Sequence, residues 1–85
     1  MEHTYYVGLD LHSNNVCCLI TDESDRRVFK RRLKNIAQEV LGALKPYKER
    51  VVGVAVEATF NWYWLVDTLM EAGYNVHLVH AAKIE

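Results

Sequence analysis

Tyr5-Tyr6-Val7-Gly8-Leu9-Asp10-Leu11, then His12-Ser13-Asn14-Asn15, then Val16-Cys17-Cys18-Leu19-Ile20-Thr21 is the stretch that decides the fold. The first seven residues are apolar at alternate and intervening positions alike, except at Asp10, as in a strand buried on both faces. Asn tolerates positive φ, and Ser and Asn side chains bond nearby backbone, so residues 12–15 read as a tight hairpin turn. The second apolar run is then a strand antiparallel to the first. Asp22-Glu23-Ser24-Asp25 is a polar turn. Residues 26–33, with Val28, Phe29 and Leu33 set among Arg and Lys, read as a third strand at a sheet edge, where charge discourages stray pairing.

Further along, Asn35 is placed to cap a helix, with Gln38 three residues on in a capping-box arrangement. Ile36, Ala37, Val40, Leu41 and Leu44 follow at helical spacing, and Pro46 stops the helix. Val51-Val52-Gly53-Val54-Ala55-Val56 is a fourth strand, apolar throughout and read as buried on both faces. It ends in Glu57. Trp62, Leu65, Val66, Leu69 and Ala72 form a second helical stripe closed by Gly73, and Asn75-Val76-His77-Leu78-Val79 is a fifth strand. Three strands joined by short turns form a meander. The last two strands are each reached through a helix, which gives parallel, right-handed connections. The expected fold is α/β, a mixed sheet in order 3-2-1-4-5 with only strand 2 antiparallel and helices on the faces. That is the ribonuclease H-like arrangement.

In that order Asp10 and Glu57 end neighbouring parallel strands at the same rim, about 4.8 Å apart, where open α/β sheets bind ligands. Two close carboxylates repel, and a divalent cation relieves the repulsion. Hard oxygen ligands suit magnesium or manganese, and the chemistry that follows is phosphoryl transfer. The bland alternative is that each carboxylate caps a turn or helix, Glu57 through the dipole of the second helix.

Composition bounds these readings. Eighty-five residues make one domain, and 51% hydrophobic residues argue against disorder. Ten Lys and Arg against eleven Asp and Glu exclude a wholly basic, histone-like chain. They leave room for a local basic face. Arg26, Arg27, Lys30, Arg31, Arg32 and Lys34 put six of the ten bases in nine positions, suited to nucleic-acid phosphates or to edge protection. Cys17 and Cys18 are adjacent, so they form neither an ordinary disulfide nor a metal clamp. They read as core residues of a reducing, cytoplasmic setting. No apolar run reaches the ~18–20 residues of a membrane span.

Phe60, Trp62, Tyr63 and Trp64 crowd the segment after Glu57. Helical spacing sends Trp62 to the core and leaves Tyr63 for a partner surface. His12 and Ser13 follow Asp10 as turn residues, and His77 and His80 lie three apart without a metal-spaced partner.

The segment Tyr6-Val7-Gly8-Leu9-Asp10-Leu11-His12-Ser13-Asn14-Asn15 resembles the opening of the DEDD transposases of the insertion-sequence 110 family, relatives of the Piv DNA invertase. Val56-Glu57-Ala58-Thr59-Phe60-Asn61-Trp62-Tyr63-Trp64-Leu65 is similar to their second motif, and residues 69–79 continue the likeness. The resemblance implies a RuvC-like domain in which four acidic residues bind magnesium to cut and rejoin DNA. On matching positions Asp10 is the first acid and Glu57 the second. The last two belong to a helix after the fifth strand, and Glu85 matches neither. Residues 1–85 are thus expected to be the N-terminal part of such a domain, inactive alone, with DNA and a guide RNA as partners implied by resemblance. Surface left open by the missing helix is expected to drive self-association. An actin-like ATP-binding domain is the alternative enzyme, although its first turn should carry Gly for phosphate approach and residues 12–15 carry none. A non-catalytic module that binds nucleic acid or a partner chain is the third reading.

Overall fold

A computed structural model describes residues 3–58 and 61–79. Expectations placed on Thr59, Phe60, His80 and Glu85 lie outside the described residues. The elements are β1 (Tyr5–Leu11), β2 (Asn15–Asp22), β3 (Arg27–Lys34), α1 (Ala37–Leu44), a 3₁₀ segment (Lys45–Arg50), β4 (Val51–Glu57), α2 (Tyr63–Glu71) and β5 (Val76–Val79). The five strands form one sheet in order β3-β2-β1-β4-β5. β2 runs antiparallel to β1 and β3, and β4 is parallel to β1 and β5. The strand order and directions are those expected from the meander and the two helical crossovers.

The core lies on one side of the sheet. Val7 and Leu9 of β1, Val16, Cys18 and Ile20 of β2, Leu33 of β3, and Val54 and Val56 of β4 all face it. Val40 and Leu44 of α1 and Leu65 and Leu69 of α2 pack against them. Both helices therefore cover the same face. Strands with a period of two cannot turn their other residues inward. Tyr6, Leu19 and Val79 are accordingly 47%, 38% and 48% exposed on the opposite face. This places the two expected helices on a single face and corrects one expectation for the described residues, the burial of β1 and β4 on both faces.

Local signals held unequally. Gly73 has φ +95°, a conformation open to glycine at little cost. Its N–H donates to Met70 O, and the Tyr74 N–H donates to Leu69 O, a paired closure that satisfies the last carbonyls of α2. Asp22 is 6% exposed, and its Oδ1 accepts the Ser24 and Arg26 N–H groups at 2.9 Å, building the β2–β3 turn. Asn35 does not cap α1. The N-cap is Ile36, with no side-chain cap bond. Pro46 ends α1 but not the coiling, because proline is tolerated in the first turn of the 3₁₀ segment.

Candidate metal and nucleic-acid site

Asp10 is the second-last residue of β1 and Glu57 the last of β4, and they are direct Cα partners across the parallel ladder. Partners in register share a sheet face. Asp10 and Glu57 therefore stand side by side, on the bare face, at the carboxyl end of the two central strands. Both are exposed. They border a hollow of about 350 Å³ whose other walls include Gly8, Cys17, Leu19, Lys30, Ala55 and Val79.

The turn after Asp10 is held from two sides. Within it, the His12 N–H donates to Asn15 O at 2.8 Å. From outside, Asn35 Nδ2 donates to His12 O at 3.0 Å and to Ser13 O at 3.2 Å. This is what Asn35 does in place of capping: a contact between residues 22 or 23 apart satisfies its donor. Ser13 Oγ donates to Asn14 Oδ1 at 3.1 Å, as a turn-shaping residue does. Asn15 Oδ1 and Asn35 Oδ1 are buried without a protein partner. Such groups cost about 1–3 kcal/mol each unless water reaches them.

His12 is the residue whose place the sequence understated. Its Nε2 lies 3.3 Å from Asp10 Oδ2, and both side chains are about half exposed (51% and 52%). The available signal was the two-residue spacing, which puts His12 and Asp10 on the same side of an extended chain. His77 stands on β5 opposite Ala55, one row from the carboxylates.

The basic run divides by pleat. Lys30, Arg32 and Lys34 pair in register with Leu19, Cys17 and Asn15 and share the bare face with the carboxylates. Arg31 pairs with buried Cys18 and faces the helices, its guanidinium 5.5 Å from the Phe29 ring centroid. Arg27 opens β3 opposite Thr21, beside a register shift, and Arg26 sits in the turn before it.

Cys17 is part-buried and Cys18 fully buried. Burial pushes the Cys18 thiol up to about 11. The aromatic segment is rearranged relative to expectation. Trp62 precedes α2 and stacks on Tyr63, with centroids 4.1 Å apart and planes 27° apart. Trp64 takes the place against the core. Tyr63 is 65% exposed, as its spacing predicted.

Among the described residues no group of three or more His, Cys, Asp or Glu side chains converges as a metal site. Two carboxylates still fit a hydrated magnesium or manganese ion, which keeps several waters and needs only one or two carboxylate ligands. The donor set is hard oxygen, on an open rim that admits water. None of the described helices is long and apolar enough to cross a membrane.

No family model matches the chain, and no curated protein matches it. Among solved structures the chain is similar to the PPX-GPPA enzyme of Aquifex aeolicus, at 16% identity and a TM-score of 0.50. The match covers 93% of this chain and 36% of that one, so the chain spans little more than a third of that enzyme's length. At this identity the likeness is one of fold alone.

Proposed function

We propose that the chain is the N-terminal part of a ribonuclease H-like, RuvC-type domain that cuts and rejoins DNA with magnesium or manganese. The observation that carries this reading is the direct register pairing of Asp10 with Glu57 at the carboxyl end of parallel central strands. Asp10 and Glu57 would hold the ion from the sheet side. A bound divalent ion supplies activation of the attacking oxygen and charge relief at the leaving oxygen. His12 restrains one oxygen of Asp10, and the Asn35 contacts fix the turn that carries His12. Two-metal chemistry needs more anionic ligands than two carboxylates provide. The reading therefore takes two further acids from a helix following β5. Residues 1–85 alone bind metal weakly and do not cleave.

The test is nicking of supercoiled DNA by a chain extended through that acidic helix. Nicking should require magnesium or manganese and stop in chelator. Nicking that persists in chelator, or robust nicking by residues 1–85, overturns the assignment. A guide RNA is a second nucleic-acid partner in this reading.

Two observations bear on the other readings. In an ATP-binding domain the first turn carries Gly so that phosphate can approach the backbone, but residues 12–15 carry none, and the His12 N–H donates to Asn15 O. The outer stripe of α2 exposes Tyr63 (65%) and Met70 (60%), which favours self-association through that helix. Sedimentation equilibrium should show reversible association at high concentration, and a clean monomer would count against it.

A further inference from the structure

Residues on the bare face fall into rows that cross the sheet. One row reads Val79, Glu57, Asp10, Cys17, Arg32, each the register partner of the next. The adjacent row reads His77, Ala55, Gly8, Leu19, Lys30. Charge is segregated along them. The carboxylates stand on β4 and β1, and the bases stand on β3, where Lys34 extends the column one step further. With strands about 4.8 Å apart, Arg32 lies about 10 Å from Asp10 on the same surface. Lys30 lines the same hollow as Asp10 and Glu57. Beside the carboxylates, on β1 and β4, the floor is low, and Cys17 and Leu19 of β2 separate the two charged zones. A Cβ added to Gly8 would meet nothing within 4 Å, and Ala55 beside it carries only a methyl group.

We propose that the sugar–phosphate backbone of a nucleic-acid strand crosses this bare face, gripped by Lys30, Arg32 and Lys34 on β3 and presented to Asp10 and Glu57 a few nucleotides away. The inference rests on the cleavage reading and deepens it, because it separates the basic run into residues that hold the strand and residues that do not. Three cations in one column complement a polyanion. Arg31, although central in the run, is on the helix side and takes no part. Cys17 lies under the path, between Asp10 and Arg32, whereas Cys18 is sealed in the core. The recognised chemistry is the phosphodiester backbone, common to DNA and RNA.

The test uses short fluorescent single-stranded DNA and RNA oligonucleotides, with affinity measured against salt in EDTA so that no metal contributes. Each phosphate contact adds about 0.7 to the slope of log affinity against log salt for a single strand. Arg32→Gln should lower that slope by about 0.7, and removing Lys30 and Lys34 as well should lower it further. Arg31→Gln, one residue away, should leave it unchanged. Saturating oligonucleotide should protect Cys17 from N-ethylmaleimide in the unsubstituted protein, a readout independent of whether any variant folds. An equal loss in Arg31→Gln, or full Cys17 reactivity at saturation, overturns the proposed path. The cleavage reading fails separately: an Arg32-selective loss together with metal affinity indifferent to Asp10 and Glu57 keeps the path and removes the metal site. Equal responses from the two oligonucleotides assign the grip to the shared backbone, and a response from one alone identifies which nucleic acid the face takes.

Discussion

Asp10→Asn and Glu57→Gln should each reduce strand cleavage by the extended domain at least about 100-fold, with folding and nucleic-acid binding retained. Each substitution removes one negative charge with little change of shape. An ion held from the sheet side by two carboxylates loses half of that support. A hundredfold loss corresponds to about 2.7 kcal/mol of transition-state stabilisation, within the several kcal/mol that a bound divalent ion contributes. The two carboxylates are register partners on adjacent strands, so both losses should be of similar size. Plasmid nicking rates report cleavage, and the far-ultraviolet circular dichroism of each variant reports the fold. Wild-type rates in either variant would remove that residue from the catalytic assignment. In metal-free buffer both changes should instead tighten oligonucleotide binding, because each removes a charge that repels phosphate.

The second large effect concerns stability and tests the one-sided core. Leu9→Ala should cost about 2–5 kcal/mol, the range for emptying a buried leucine site. Leu9 is 1% exposed, on a strand flanked by β2 and β4, with Asp10 as its neighbour in sequence. A chain of this length has on the order of 4–13 kcal/mol of total stability, so the loss is a large share and should unfold a measurable fraction. Leu19→Ala, on the bare face at 38% exposure, should shift stability by only about 0.5 kcal/mol. Urea midpoints compare the two directly. Equal losses would mean that the second face is covered in solution, and would return β1 and β4 to strands buried on both sides.

That contrast marks where the sequence was informative. Strand order and direction were legible, because a hairpin meander followed by two helical crossovers leaves few sheet topologies. The Asp10–Glu57 pairing was legible for the same reason. Each carboxylate ends an apolar run, and parallel neighbours bring equivalent ends together. Gly73 was legible because a positive φ at a helix end selects glycine.

Which residues lie on the uncovered face was not legible. Continuous apolar runs such as Val16–Ile20 look alike whether one face or both are packed, and Leu19 and Ala55 carry no mark of their exposure. Asn35 misled because its spacing to Gln38 satisfies a local capping rule, while the actual partners, His12 O and Ser13 O, belong to a turn more than twenty residues earlier. Trp64, and not Trp62, packs against the core because α2 begins at Tyr63, later than the hydrophobic stripe suggested. The basic run read as a single cluster, and only the register with β2 divides Arg32 from Arg31.

The central claim is that Asp10 and Glu57 form one divalent-metal site, and paramagnetic broadening tests it most directly. Manganese titrated into the isotopically labelled 85-residue chain should broaden first the amide signals around Asp10, His12 and Glu57, at substoichiometric metal, and magnesium should reverse the effect by competition. Asp10→Asn or Glu57→Gln should abolish the localised broadening. Broadening scattered over unrelated carboxylates such as Glu23 and Glu71, or left in place by both substitutions, would contradict the account.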